Sequence, residues 1–153
     1  MPVDSIETPS GLCSSMTFHH ARLGTTGRHA LSMLRLEGPA AARASFDAFQ
    51  RELLAHLEAE ERWMVPLYAH ERPEHHQRVR SEHDAIRARF ETLASAFASG
   101  AVDASLFAEL LQLLDDHAHH EESDFYRWAD GSLDETSSRA IIAAIEAAEL
   151  GGD

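Results

Sequence analysis

The sequence contains no lysine and only one cysteine, Cys13, and both shortages limit what the protein can bind. A lone cysteine cannot form an intramolecular disulfide or supply the thiolates of an iron–sulfur cluster or a cysteine-rich zinc site. All 13 basic residues are arginines, and 26 acidic residues outnumber them, which gives a formal net charge of -13. Such a charge argues against a nucleic-acid or anionic-membrane partner.

Long apolar runs are also missing. No segment approaches the roughly 18 consecutive apolar residues of a membrane span. The first residues, MPVDSIETPSG, lack the basic region and the apolar stretch of a secretory signal. Together with the lone cysteine, which suits a reducing compartment, these features predict a cytoplasmic protein.

Sequence signals for β-strands are almost absent, and Ala, Leu, Glu and Arg dominate the segments between a few breaks. The breaks occur at Gly38–Pro39, around His70 to Pro73, at Gly100 and at Asp130–Gly131. They leave four segments of roughly 22 to 32 residues, each with an apolar stripe at helical spacing. We therefore predict an all-α fold, an up-down-up-down antiparallel four-helix bundle with a short extra C-terminal helix.

The chain of 153 residues fits one domain with a single core. We expect three parts: a flexible N-terminal tail (1–13), the bundle (14–130), and a short C-terminal helix with its tail (131–153). Pro66 should kink or shorten the second helix because it removes a backbone hydrogen bond. Ile141, Ile142 and Ile145 give the last helix a small apolar face that can cap the bundle or meet a partner.

Eleven histidines, clustered around positions 19–20, 56, 70–83 and 117–120, give the first indication of a metal site. A His-x-x-x-Glu motif occurs twice on the apolar stripes, from His56 to Glu60 and from His117 to Glu121. This spacing places both side chains on one helix face, about 6 Å apart. Two such pairs can reach two adjacent metal ions, with imidazoles as terminal ligands and carboxylates as bridges.

Two further histidines extend the motif into an internal repeat. His20 precedes His56 by 36 residues, and His83 precedes His117 by 34. Residues equally far from the turn of an antiparallel hairpin face each other. His20 lies 17 residues before Glu37, and His56 lies 17 residues after Pro39 on the other side of the turn. The second hairpin is matched to within one residue, or roughly 1.5 Å along the axis. All four histidines can therefore share one layer.

Six buried polar groups without partners would cost on the order of 1 to 3 kcal/mol each, which is most of the net stability of a small domain. Metal ions would remove that cost. For any single histidine the commoner role is a satisfied core or surface residue. For the set that alternative is weak, because two motifs and two register-matched histidines are hard to obtain by chance.

The complete pattern resembles the hemerythrin-like, or HHE cation-binding, family over about residues 14 to 130. The residues that carry the resemblance are His20, His56-x-x-x-Glu60, His83 and His117-x-x-x-Glu121. The resemblance implies a non-heme di-iron centre in a four-helix bundle. Each iron would be held by two of the histidines, with both glutamates and an oxo or hydroxo group as bridges. Manganese and zinc accept the same donor types.

The chain departs from the oxygen-carrying hemerythrins, which use five histidines with an HxxxH pair on the third helix. Here Arg87 follows His83 by four residues, and position 79 is Val. The pattern is closer to members with four histidines and two glutamates, which include bacterial di-iron proteins of nitric oxide stress and iron–sulfur repair and eukaryotic iron sensors. O2, NO or peroxide are therefore expected as small-molecule partners, and reversible oxygen transport is disfavoured.

Neighbouring residues leave alternatives open. A one-residue change of register would bring His19 inward in place of His20. His120 is a candidate fifth nitrogen ligand or an outer hydrogen-bond donor, whereas Glu61 and Glu122 point about 100° away from the ligands and are expected to be solvated or outer acids. Four histidines near the turns are expected to be solvated or to cap helix ends: His29, His70, His75 and His76. Tyr68 and Tyr126 can donate hydrogen bonds near the site.

Three functions remain open at this point. The first is a redox or gas-responsive di-iron protein that binds or reacts with O2, NO or peroxide. The second is iron storage, delivery or sensing without catalysis, in which the C-terminal helix reports the metal state to a partner. The third is a metal-free helical interaction module with packed histidines. The sequence contains no motif that identifies a protein or redox partner.

Overall fold

The computed structural model of the protein describes residues 11–149, and this range folds as packed helices without any strand. The predicted all-α bundle with an extra C-terminal helix is confirmed. Residues 1–10 of the expected N-terminal tail and residues 150–153 at the other end lie outside the described residues. Within residues 11–149, no helix is both long and apolar enough to cross a membrane.

The bundle consists of two helical hairpins. The first contains α1 (Leu12–Glu37) and α2 (Pro39–Trp63), and the second contains α4 (Pro73–Ser99) and α5 (Ala104–His120). The short α3 (Val65–Glu71) joins the hairpins. A π-helical turn (Glu121–Phe125) continues α5 into α6 (Tyr126–Ser132), and α7 (Glu135–Glu149) follows. In the bundle α1 contacts α2 and α5, and α4 also contacts both of these helices.

The helices end where the sequence cannot continue them. Gly38 and Gly100 have φ values of +92° and +74°, a conformation that favours glycine, and each ends a long helix. Proline occupies the first turn of α2, α3 and α4, where its missing N–H costs nothing. The second predicted helix stops at Trp63, shortly before Pro66, and restarts as α3. The kink or shortening predicted at Pro66 is thus observed as an interruption of the helix.

Two apolar clusters fill the interior and lie on either side of a polar layer. The larger cluster contains phenylalanines and leucines from α1, α2, α4 and α5, including Phe46, Phe49, Phe90, Phe97 and Phe107. The smaller cluster contains Leu12, Met16, Met64, Tyr68, Val79, Phe125, Trp128 and residues of α7. His20 lies between Met16 of the smaller cluster and Leu23 of the larger one, and on α4 His83 likewise lies between residues of the two clusters. The polar layer is therefore shielded from water on both sides.

The C-terminal helix packs against the bundle at the smaller apolar cluster. Ile141 and Ile145 are buried in the smaller cluster, and Ile142 packs against it. The helix contacts α2 and α1. Of the two expected roles for this apolar face, the structure shows the capping of the bundle.

Candidate metal centre

The six sequence-predicted ligand residues meet in the polar layer. They form two overlapping groups whose ligand atoms lie within 4.8 Å of one another. The first half-site contains His20, His56, Glu60 and Glu121, and the second half-site contains Glu60, His83, His117 and Glu121. Both glutamates belong to both half-sites, which is the position that a bridging carboxylate requires.

The hairpin register brings the histidines face to face. Nε2 of His20 lies 3.1 Å from Nε2 of His56, and the ring centroids of His83 and His117 are 5.0 Å apart. All four imidazoles therefore lie at one level of the bundle.

The i, i+4 spacing of each motif places a histidine and a glutamate side by side. His56 Nε2 lies 2.7 Å from Glu60 Oε1, and His117 Nε2 lies 2.7 Å from Glu121 Oε1. Across the bundle, His83 Nε2 lies 3.3 Å from Glu60 Oε2. These distances join the two motifs and the third helix of the bundle into one cluster.

The second half-site contains buried polar atoms that the protein itself does not satisfy. Glu60 Oε2, His83 Nε2, His117 Nε2 and Glu121 Oε2 are buried without a hydrogen bond of normal geometry, although His83 Nε2 and His117 Nε2 lie 2.7 to 3.8 Å from glutamate oxygens. Each such atom costs on the order of 1 to 3 kcal/mol. Imidazole nitrogens and carboxylate oxygens are the donors that a divalent or trivalent transition-metal ion accepts. The residues present therefore fit a metal ion at this position.

Electrostatics in the metal-free protein lead to the same conclusion. Burial disfavours a charged His83, but hydrogen bonding and charge from Glu121, Glu60 and Glu61 outweigh it and raise its pKa to about 12. Burial likewise opposes charge on His117, and Glu121 and Glu82 raise its pKa to about 10. Protons thus neutralise the carboxylates when no metal ion does, and a metal ion must displace them.

A ring of outer carboxylates fixes three of the histidines. Glu61 Oε1 lies 3.0 Å from His83 Nδ1, and Glu122 Oε1 lies 3.3 Å from His20 Nδ1. A carboxylate on Nδ1 orients the ring and leaves Nε2 directed at the metal. Glu61 and Glu122 therefore take the outer role that the sequence left open.

Glu82 completes this ring, and the sequence reasoning missed it. Its Oε2 lies 2.6 Å from His117 Nδ1, and its Oε1 contacts His120 Nδ1. The sequence did offer one signal for Glu82, because it is an acid directly next to a predicted ligand, His83. Glu61 and Glu122 are likewise acids directly next to predicted ligands. His120, whose side chain is 40% exposed, is thus an outer residue bonded to Glu82 and belongs to neither half-site.

The structure places the remaining histidines outside the two half-sites. His19 is buried outside both half-sites with its ring against Phe18, whereas His20 takes part in the first half-site. His75 contacts Asp124 at the surface. The other histidines expected near turns also lie outside the two half-sites: His29, His70 and His76.

Tyr126 donates a hydrogen bond at the site, as the sequence analysis allowed. It is fully buried, and its hydroxyl donates to Glu60 Oε1 at 2.7 Å. Burial and the charges of Glu121 and Glu60 raise its pKa well above the usual value, so the phenol is neutral without metal. In a regular α-helix Phe125, four residues after Glu121, would share its face and Tyr126 would not.

A cleft of about 890 Å³ between α1 and α5 leads to the polar layer. His20, His56 and His117 form part of its wall, together with leucines such as Leu23, Leu53 and Leu114. Arg28 and Arg35 lie further along its α1 side. A small molecule in this cleft can therefore contact imidazoles of both half-sites.

One comparison with known proteins gives a match. The family model described as the hemerythrin HHE cation binding domain matches residues 14–129, a range that includes all six residues of the two half-sites. No curated protein and no solved structure matches the chain.

Proposed function

The chain belongs to the hemerythrin HHE cation-binding family, and on that premise we propose that its polar layer binds two iron ions. The proposed terminal ligands are His20 and His56 in the first half-site and His83 and His117 in the second. Glu60 and Glu121 are the proposed bridging carboxylates, beside an oxo or hydroxo bridge. The observation that carries this proposal is the pair of overlapping donor groups that share Glu60 and Glu121.

Iron is proposed on family membership, because the donor set alone also suits manganese and zinc. Two histidines and two shared carboxylates give each ion four of these ligands, fewer than the six positions of an octahedral ion. When bound, such a pair of ions supplies redox chemistry and positions for a small exogenous ligand. We therefore propose O2, NO or peroxide as the molecule that binds or reacts there, in a stress response or in iron–sulfur repair.

The surroundings of His83 support this role over reversible oxygen transport. The two positions four residues from His83 hold no second histidine. Val79 has no side-chain nitrogen that could bind a metal, and Arg87 forms two hydrogen bonds, of 2.5 and 2.7 Å, with Glu61. Arg87 therefore holds an outer carboxylate where the oxygen carriers would have the second histidine of the pair. The cleft along α1 and α5 supports access by a molecule from outside, because three of the proposed ligand histidines form part of its wall.

A second candidate is iron storage, delivery or sensing without catalysis. The position of α7 favours this candidate. Ile141 and Ile145 of α7 pack in the same apolar cluster as Ala59 and Tyr126. Ala59 directly precedes the bridging glutamate Glu60, and Tyr126 donates a hydrogen bond to it. Loss of the metal would then loosen the packing of α7 and expose its apolar face. Iron-dependent protection of α7 from proteolysis, with iron-dependent capture of a partner, would favour this candidate.

The test is metal analysis of protein purified without oxygen, combined with visible spectra before and after addition of O2, NO or peroxide. Two irons per chain and a spectral change with one of these molecules support the proposal. Iron that is bound without any spectral response supports storage or sensing instead. Absence of metal, with an unchanged melting temperature after chelation, would reject both and favour a metal-free helical module.

A further inference from the structure

The hydroxyl of Tyr126 lies among all four donor atoms of the first half-site. Its oxygen is 2.7 Å from Glu60 Oε1, 2.7 Å from His20 Nε2, 3.1 Å from His56 Nε2 and 3.3 Å from Glu121 Oε1. A hydroxyl has one proton and two lone pairs, so it can satisfy three partners. Four polar neighbours exceed that number, and hydrogen bonding alone does not explain why they converge.

The spacing of these atoms is that of ligands around a common ion. Neighbouring ligands at right angles, each about 2.1 Å from a metal, lie about 3 Å apart. The four distances from the phenol oxygen fall around this value, as does the 3.1 Å between His20 Nε2 and His56 Nε2. His56 Nε2 and Glu60 Oε1 are 2.7 Å apart. The phenol oxygen therefore stands at ligand-to-ligand distance from the other donors.

The local helix geometry brings Tyr126 to this position. In a regular α-helix, residues five apart point about 140° away from each other. The π-helical turn from Glu121 to Phe125 inserts an extra residue, and the Tyr126 amide donates to the Glu121 carbonyl. This wider turn rotates Tyr126 back towards the face that carries Glu121. Such turns within α-helices are frequent at functional sites.

The two half-sites differ in what satisfies them. In the second half-site, four donor atoms lack a hydrogen bond of normal geometry, whereas the atom that lacks one on a histidine of the first half-site is His56 Nδ1, not the Nε2 that contacts the other donors. In the first half-site, the Tyr126 hydroxyl contacts the imidazole nitrogens and one oxygen of each glutamate. The hydroxyl of the other tyrosine, Tyr68, donates to Asp124 Oδ2 at 3.3 Å, and Asp124 belongs to neither half-site.

We propose that the Tyr126 phenol oxygen is a fifth protein ligand of the metal ion in the first half-site, where it binds as phenolate. The inference rests on the proposed iron site and goes beyond the six residues assigned to it. No oxidation or reduction is involved, and the phenol proton is released to solvent when the oxygen binds the ion, as with other protonated ligands. The second half-site, with four protein ligands, then holds the exchangeable positions for exogenous molecules.

Resonance Raman spectroscopy of the full chain, loaded with oxidised iron, tests this inference. Phenolate bound to ferric iron gives a visible charge-transfer band and enhanced phenolate ring modes. The chain has only two tyrosines, so Tyr68→Phe leaves Tyr126 as the sole tyrosine. We expect the ring modes in the wild type and in Tyr68→Phe, and their complete loss in Tyr126→Phe. Azide should change the spectrum without removing them.

The outcomes separate this inference from the proposed function. A wild type without iron would reject the proposed function itself. A wild type with two irons and no phenolate modes would overturn only the role of Tyr126, as would modes that persist in Tyr126→Phe or vanish in Tyr68→Phe. Loss of the modes with azide would contradict an exchangeable position in the second half-site. If Tyr126→Phe does not fold, the wild type and Tyr68→Phe decide the question.

Discussion

Glu82 Oε2 lies 2.6 Å from Nδ1 of His117, although 35 residues separate them. The contact joins α4 to α5 and holds the His117 ring with Nε2 towards the second half-site. It also depresses the pKa of Glu82, since hydrogen bonding to His117 and His120 outweighs the opposing effect of burial. The carboxylate is therefore charged at neutral pH and would make His117 a stronger ligand at the proposed metal site.

Replacement of Glu82 should weaken metal binding without removing a ligand. In Glu82→Ala we expect a loss of about 10- to 100-fold in metal affinity, the usual effect of removing an outer partner. Competition with a chelator measures this loss. Glu109→Ala is the control, because Glu109 is an exposed acid on α5 that pairs with Arg89. Equal affinities of the two variants would show that Glu82 does not support His117.

The ligand assignment makes a simple prediction about metal content. His56→Ala and Glu121→Ala each remove one proposed ligand and should sharply lower the iron retained after purification. His75→Ala should retain the wild-type amount, because His75 pairs with Asp124 at the surface. Elemental analysis of the three purified variants makes the comparison. Equal iron in all three would reject the assignment.

The register of the four histidines could be predicted because helix periodicity and turn position fix both face and depth. Glycine and proline mark the turns, and 3.6 residues per turn determine which side chains share a stripe. Tyr126 was expected near the site, but its position among the donor atoms could not be found in this way, since the π-helical turn that redirects it breaks the period. Glu82 could not be placed either, because its partner lies on another helix and side-chain contacts between helices depend on their exact packing.

The stability of the metal-free protein should depend on pH in the direction set by its histidines. His83 and His117 have pKa values raised from 6.5 to about 12 and about 10. A raised pKa stabilises the fold fully below 6.5, and this stabilisation is lost as pH rises towards the folded-state values. The free energy of unfolding of the metal-free form should therefore fall between pH 7 and alkaline pH.

Metal should reverse this trend, because it binds neutral imidazoles and competes with protons. The stabilisation that metal confers should thus increase with pH over the same range. Chemical unfolding of the metal-loaded and chelated forms at several pH values measures the difference. A difference that shrinks as pH rises would contradict a site built on histidine nitrogens.

Gly27 is a packing residue, although it weakens the intrinsic helicity of α1. A Cβ atom there would lie 2.7 Å from Leu111 Cδ2 and 2.9 Å from Phe49 Cζ. Gly27→Ala should therefore cost about 1 to 3 kcal/mol of stability through overpacking. Denaturant unfolding measures the change.

Gly24 provides the matched control on the same helix. A Cβ atom at Gly24 would meet only the end of the exposed Arg28 side chain, at 3.1 Å from Nη1. Gly24→Ala should stabilise the helix by up to about 1 kcal/mol. Opposite signs for the two substitutions are expected. A Gly27→Ala variant as stable as Gly24→Ala would show that α1 does not approach its neighbours as closely as described.

Anomalous diffraction at the iron edge, from crystals of the protein purified without oxygen, tests the central claim most directly. The account predicts two adjacent peaks in the polar layer, one beside His20 and His56 and the other beside His83 and His117, with Glu60 and Glu121 between them. No peak in this layer, or peaks only among surface histidines such as His75, would contradict it.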